Sequence, residues 1–474
     1  MVDEGSSNLA LNLVGFFLEF AEKLLAPARS FVDVEGMPKR VEHPFLFRAP
    51  EFSGPAASGS TISFSGVEKP DFRGLLLFNR ERWAKAEAER CAREHFAHDV
   101  RRDRQVLDEN WQLIASPTFG HLGNQLGSQL AYEVYYVIAD LSERLQTLRP
   151  TGEQLLEAYE RLTEEWTCPT VMWRLGAPLL NFKTEKCPPR IGQSLELAPL
   201  SHDEKTSLWN RNAAFGPFSE PQVMDRGDLA RAQFVFRGSS TTGRDDPGFG
   251  PEFRDEVARV VTAMRLFGSG DVGIPAVLGT STGLFEKFAS QYVFDGRARN
   301  SGRMYELRAA DWDAFTKVYD ALGTIDGKGQ IPLRRFNQAY DRKSGEDTII
   351  DLTIALESCL LPNTRDELQY RLSMRGAALL TSLRNPVETQ ALLKTMYEIR
   401  SEIVHNGRLL SENGVRRKIE SLGPVVAKDF LHACEDVVRD VLRESILRLA
   451  TGGTLKALSE ELDAKVLSGL LPLS

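Results

Sequence analysis

The sequence predicts an α+β protein, with a mixed α/β front half and an all-helical back half, and three observations carry that prediction. Short apolar runs among Pro, Gly and Ser clusters, such as Thr61-Ile62-Ser63-Phe64-Ser65, speak for strands before residue 240. Past residue 250, apolar residues recur at helical spacing in one segment after another, punctuated by caps and prolines. Between the two lies Gly238 to Gly250, rich in Gly, Ser and Asp with almost nothing to bury, which is the composition of a linker. At 474 residues the chain exceeds what one hydrophobic core usually serves, so the expected division is a domain at 1–240 and a second at 251–474.

The stretch Leu9 to Ala28 carries Phe16, Phe17, Leu18 and Phe20, but Glu19, Glu22 and Lys23 interrupt it before it can span a bilayer. Acidic residues precede it where a secretory signal has basic ones, so the expectation is an amphipathic helix packed on the protein, with no membrane partner. Gly74-Leu75-Leu76-Leu77-Phe78 reads as a compact apolar strand, and Asn79 to Leu113 as a charged, solvated helix. Helical patterns follow at Leu126 to Leu148 and Gly152 to Trp166, then strand-like pieces at Thr170 to Trp173, Ser194 to Leu197 and Gln233 to Phe236.

In the back half, Phe253, Val257, Val260, Val261, Met264 and Phe267 form a helical stripe that Gly268 and Gly270 stop. A helix from Asp311, its expected N-cap, to Leu322 places Phe315, Val318, Tyr319 and Leu322 on one face. Three more helices are expected at Ile331 to Tyr340, at Asp347 to Leu361, and after Thr364, which stands in capping-box spacing to Glu367. Asn385, Pro386 and Glu388 supply a cap, a first-turn proline and a box partner for a helix running to about Val404, and Gly407 supplies a left-handed stop. A final long helix is expected from Pro424 to Ala450. Antiparallel helices joined by short loops make a bundle.

The net charge of −8 argues against a broad basic surface that coats nucleic acid, so any nucleic-acid contact is expected to be local and enzymatic. Five scattered cysteines point to a reducing, cytoplasmic setting without a disulfide framework. Gly268-Ser269-Gly270-Asp271-Val272-Gly273 spells a dinucleotide-binding pattern but follows a helix where that pattern needs a strand, so it is read as a loop. Cys168, Cys187 and His202 lack zinc-site spacing, and His95 and His98 lack a carboxylate partner; no metal or cofactor is expected.

The most informative stretch is Tyr397-Glu398-Ile399-Arg400-Ser401-Glu402-Ile403-Val404-His405-Asn406-Gly407. An always-charged guanidinium and an imidazole that titrates near neutrality can together bind a phosphodiester and move protons on it without a metal. On a regular helix five residues turn roughly 500°, so Arg400 and His405 point about 140° apart and stand about 7.5 Å apart along the axis. One helix alone holds them poorly together. The bland reading leaves both on an exposed helix end, where the helix dipole favours positive charge. Arg408, Arg416, Arg417 and Lys418 follow closely and could supply a local basic rim, or a solvated loop.

The run Asp351-Leu-Thr-Ile-Ala-Leu-Glu357, then Met374-Arg375-Gly376-Ala377-Ala378, then the Arg400-Ser401-x-x-Val404-His405-x-Gly407 signature resembles an ApeA-like HEPN domain in order and spacing, over roughly the last 170 to 220 residues. The resemblance implies an all-α HEPN-like bundle and a homodimer in which two motif helices face one another. It also implies a metal-independent endoribonuclease of anti-phage, abortive-infection type. RNA would be the substrate, its 2′-hydroxyl the nucleophile and a 2′,3′-cyclic phosphate the product. His405 would move the proton, Arg400 would hold the phosphate, and Ser401 would bond the phosphate or orient the histidine. Glu357 would orient Arg400 or serve as a nearby acid; its bland role is a structural ion pair. A phage-derived trigger on the N-terminal domain completes that picture. The rival reading is a non-catalytic module for dimerisation or for binding nucleotide or RNA. A toxin component silenced by a nucleotidyl-transfer partner is weaker still, since Gly407 stands where such proteins carry a tyrosine.

Overall fold

The computed structural model describes residues 14–15, 17–26, 28–29, 50–52, 62–64, 72, 76, 137–167, 170–185, 190–192, 195–200, 232–243, 251–281, 288–291, 303–325, 327–362, 364 and 366–469. These residues form a mixed α+β protein with a helical C-terminal region. Residues 14–15, 17–26 and 28–29 are helical and bury Phe17, Phe20, Ala21, Leu24 and Leu25 while Glu22 faces solvent, and Arg29 Nε donates to the Leu148 carbonyl at 2.6 Å. Among the described residues, no helix is long and apolar enough to cross a membrane. The expected helix over Asn79 to Leu113 lies outside the described residues. Leu76, expected in a strand, is helical and buried.

After β1 (Pro50–Phe52), β2 (Ile62–Phe64) and α1 (Gly152–Thr167), the chain builds a five-stranded antiparallel sheet in the order β5-β6-β3-β7-β8. Its strands are β3 (Thr170–Leu179), β5 (Glu196–Pro199), β6 (Phe234–Gly243), β7 (Val277–Ser281) and β8 (Phe288–Gln291). The central pair runs in register from Thr170 opposite Gly243 to Leu179 opposite Phe234. Pairing of β3 with β7 stops at Gly176, two residues before Pro178, which has no N–H to offer a second neighbour. Alternation along β3 sends Leu175, Ala177 and Leu179 into the core. A small parallel pair, β4 (Phe182–Thr184) with β9 (Tyr305–Leu307), lies beside it.

Gly238 to Gly243 corrects the linker reading, for these residues are the second half of β6. Strand pairing there is satisfied by the β3 backbone and asks for no apolar side chain, and Trp173 Nε1 donates to Thr242 Oγ1 at 3.1 Å.

Among the described residues ten α-helices follow: α2 (Pro251–Phe267), α3 (Trp312–Thr324), α4 (Gln330–Asp341), α5 (Gly345–Leu360), α6 (Leu368–Leu379), α7 (Pro386–Asn406), α8 (Asn413–Glu420), α9 (Pro424–Lys428), α10 (Phe430–Leu449) and α11 (Leu455–Leu467). Three details differ from expectation. Thr364 caps nothing: the residue before α6 is Glu367 in the left-handed region, and Thr364 Oγ1 instead accepts from Arg375 Nη1 at 3.4 Å. The expected Pro424 to Ala450 helix breaks at Asp429 (φ −133°), whose carboxylate stands 2.6 Å from His432 Nδ1, a local bond that competes with helix continuation. Beyond Ala450 comes α11, its Thr454 Oγ1 accepting from Ala457 N at 3.1 Å. Arg375 clamps it to α6 by two bonds to Asp463 of 2.7 Å each, and Leu458 and Leu462 enter the core.

Buried apolar side chains form one contiguous cluster from Leu175 of β3 to Leu462 of α11. At its centre Arg265, 1% exposed, donates to the Val272 carbonyl (3.2 Å) and Asn337 Oδ1 (3.0 Å) and lies over the Tyr340 ring. Arg439 of α10 donates to the Arg265 carbonyl (2.8 Å) and to Tyr340 Oη (2.9 Å), and pairs with Asp436. The Gly268 to Gly273 segment is a loop; its backbone takes Gly270 to φ +138°, where a Cβ would stand 2.7 Å from Tyr305 Cα. Removing a buried charge's partner leaves the other groups unsatisfied, so Arg265→Met is expected to lower stability by about 3–5 kcal/mol in urea unfolding with the slope unchanged.

Candidate functional site

The helix carrying the candidate residues is fixed at both ends by its own sequence. Asn385 Oδ1 accepts from the amides of Val387 (2.9 Å) and Glu388 (3.3 Å), and Pro386 opens the first turn. Twenty-one residues later Gly407 turns left-handed (φ 62°), and its amide donates to the Ile403 carbonyl at 3.1 Å while that of Arg408 donates to the Glu402 carbonyl at 3.3 Å. Between the caps, Thr389, Leu392, Leu393, Met396 and Ile399 are buried. The close pass of α6 over α7 depends on Gly376, where a Cβ would collide with Leu393.

Arg400 lies at the edge of that buried face, half-buried, with Nε enclosed and without a hydrogen-bond partner. Glu357 of α5 stands near enough for the two charges to act on each other: burial pushes the Glu357 carboxyl up, and the Arg400 charge pulls it partly back. Tyr397, packed against the core edge, belongs to the same group, its phenol pushed up by burial and by Glu357 and opposed by Arg400. Glu357 and Arg400 nonetheless form no direct hydrogen bond, in contrast to the charge-assisted contact that the sequence raised. By helix spacing, Ile350 and Ile354 of α5, seven and three positions before Glu357, share its side of the helix and are half-buried, and Val404, four positions after Arg400 on α7, is 47% exposed.

Ser401 is half-buried and His405 is exposed on the last turn of α7. The five-residue step puts His405 on a different side of the helix from Arg400, so Arg400, Glu357 and Tyr397 are brought together within the chain and His405 is not. The expected basic rim is largely tied up internally. Glu402 accepts from Lys418 (3.2 Å) and lies 3.5 Å from Arg408 Nε, Lys418 is 3.6 Å from Glu398, and Arg416 Nε donates to Glu420 at 2.8 Å.

Sequence reasoning missed a polar cleft of about 620 Å³ between α2, α4 and the end of α3. Glu256 and Arg259 line it and are joined to Tyr319: Arg259 Nη2 donates to Tyr319 Oη at 2.8 Å, Tyr319 Oη donates to Glu256, and burial together with Glu256 raises the Tyr319 phenol. Its signal was the polar series 252, 255, 256 and 259 along one side of an otherwise apolar-striped helix. Among the described residues, no group of three or more His, Cys, Asp or Glu side chains is placed to hold a metal ion. Cys359 and Cys434 are buried free thiols, and burial pushes that of Cys359 up to about 11, out of the reactive range.

Compared with known proteins, the chain matches no family model, no curated protein and no solved structure.

Two predictions follow from how α7 is held. Asn385→Ala removes the acceptor for two amides and is expected to lower stability by about 1 kcal/mol in thermal unfolding. Glu346 accepts from the Leu410 amide at 3.0 Å, and that bond, with the bond from Ser344, lowers its carboxyl below the ordinary range. Glu402 is lowered by Asn406 and Lys418. A depressed carboxyl stabilises the fold above its unfolded pKa, and that contribution is lost as pH falls through the folded value. Amide protection at Leu410 and Arg408 is therefore expected to be constant from pH 7 to about 5 and to decline at lower pH; protection unchanged down to pH 3 would contradict the assignment.

Proposed function

We propose that the protein is a metal-independent endoribonuclease, with a HEPN-like bundle that acts as a homodimer. The observation that supports this most is the half-buried Arg400, its Nε without a partner, beside Glu357 and Tyr397, with an apolar margin of Ile350, Ile354 and Val404 on the adjoining turns of α5 and α7. Placing a second copy against that margin covers the apolar residues and sets two arginines and two exposed His405 imidazoles about one cleft. In the reaction, the 2′-hydroxyl attacks the adjacent phosphorus, the 5′-oxygen leaves, and the products end in a 2′,3′-cyclic phosphate and a 5′-hydroxyl. His405 takes the 2′-hydroxyl proton, and its counterpart in the partner returns one to the leaving oxygen. Arg400 stabilises the charge that builds on the pentavalent phosphate, and Ser401, one turn before His405, donates its hydroxyl to the phosphate. Glu357 keeps the Arg400 guanidinium in place through charge, without a direct bond. The protein works in the cytoplasm as an anti-phage, abortive-infection effector, held inactive until a phage-derived trigger engages its N-terminal part.

A second reading has its own support. Arg400 and His405 diverge within one chain, and the neighbouring cations are already neutralised, which favours a non-catalytic dimerisation or RNA-binding module. Cleavage separates the two. Purified protein is to be incubated with RNA alone and with lysate of phage-infected cells, and fragment ends scored for cyclic phosphate. Wild type is expected to cut, and Arg400→Ala and His405→Ala to lose about 10²- to 10⁴-fold in rate while remaining folded dimers. Equal behaviour of all three proteins in every condition would establish the binding module and remove the nuclease.

A further inference from the structure

The exposed last turn of a helix is where fraying is expected, because its carbonyls have no intrahelical partner. His405 sits on that turn, yet one carboxylate gathers the residues on both sides of it. Glu402 precedes His405 by three positions and so neighbours it on the helix surface. Its Oε2 accepts from Asn406 Nδ2 at 2.9 Å and lies 3.5 Å from Arg408 Nε; its Oε1 accepts from Lys418 Nζ of α8 at 3.2 Å. Lys418 also stands 3.6 Å from Glu398, one turn earlier, and Glu398 Oε1 accepts from Gln369 Nε2 of α6 at 2.9 Å. The end of α7 is thus tied sideways to both α8 and α6, on the flank away from Arg400. Beyond the stop, Glu346 of α5 holds the Leu410 amide at 3.0 Å.

We propose that Glu402 is a positioning residue for His405, acting through Asn406, Arg408 and Lys418 to fix the terminal turn of α7 against α8. Exposed ion pairs taken singly contribute little. Here the effect is geometric, since one carboxylate that accepts two hydrogen bonds and faces a third, charged donor narrows the arrangements open to the turn. The inference rests on the nuclease reading for its catalytic consequence, and on amide protection for its structural one. A displacement of about 1 Å at a catalytic group can cost about 10²-fold in rate, whereas substrate held elsewhere in the cleft stays bound.

The experiment measures Glu402→Ala, Glu402→Gln and Lys418→Met in two assays, amide protection at Asn406, Gly407 and Arg408, and RNA cleavage resolved into kcat and KM. Glu402→Ala is expected to lower protection at least tenfold and kcat at least tenfold, with KM within about twofold and the protein still fully folded at the assay temperature. Glu402→Gln keeps an acceptor for Asn406 and is expected to recover part of both losses; Lys418→Met is expected to match that intermediate. If wild type cuts RNA and Glu402→Ala cuts equally well with the same protection, the positioning role is overturned. If protection falls and kcat does not, the clasp is structural and the catalytic role is overturned. If wild type cuts no RNA under any condition, the nuclease reading fails, and the protection data alone decide whether the clasp exists.

Discussion

The guanidinium of Arg265 is the contact on which the arrangement of sheet and helices depends. It is nearly inaccessible, so its charge must be satisfied inside the protein, and its donors reach the Val272 carbonyl after α2 and Asn337 on α4. The carbonyl of Arg265 is taken by Arg439 on α10, which also reaches Tyr340 of α4. A small set of directional bonds therefore fixes three helices and the loop leading back into the sheet. Apolar packing alone tolerates sliding, whereas fork-shaped donors with fixed acceptors do not.

That anchoring places the long helix α10 in the middle of the bundle, and α5 and α7 pack on it with their own apolar sides. Two further buried carboxylates, each paired with arginine, reinforce the frame. Asp351 of α5 receives Arg335 (3.1 Å) and Arg342 (2.6 Å), and Glu435 of α10 receives Arg303 at 3.0 Å from the segment before β9. With α5 held in this way, Glu357 has a defined station beside α7, and the Arg400 charge meets it by geometry that the frame dictates.

Much of the helical part was legible because period and punctuation agree there. The stripe Phe253, Val257, Val260, Val261 and Met264 is buried as read, and the Asn385-Pro386 start and Gly407 stop of α7 occur where local chemistry demands them. What failed has a common physical cause, which is that long-range partners overrule local composition. Gly238 to Gly243 looks like linker until β3 supplies ten paired positions across β6. Thr364 has cap chemistry, but Arg375 claims its hydroxyl. Asp429 breaks a helix whose apolar period continues on both sides, and α11 is held by Asp463 and Lys465, whose partners on α6 lie more than eighty residues away. The ion pairs about Glu402 were equally unreadable, because they turn on which way α8 folds back.

The candidate site follows the same division between local and long-range information. The spacing of Arg400 and His405 is a local fact, and on a regular helix it separates them by about 140°. Proximity of Arg400 to Glu357 and Tyr397 is a long-range fact, set by the packing of α5 on α7. Within one chain these two facts pull apart, since the cation settles toward the core edge and the imidazole stands in solvent. Any phosphodiester chemistry drawing on both must therefore take them from different copies, or bind the substrate across the helix end. The half-exposed apolar margin of Ile350, Ile354 and Val404 tilts that choice, because an apolar border about a charged centre is better shielded by a matching surface than by a polyanion. On the proposed nuclease reading, pairing of two copies would therefore serve the chemistry first and stability second.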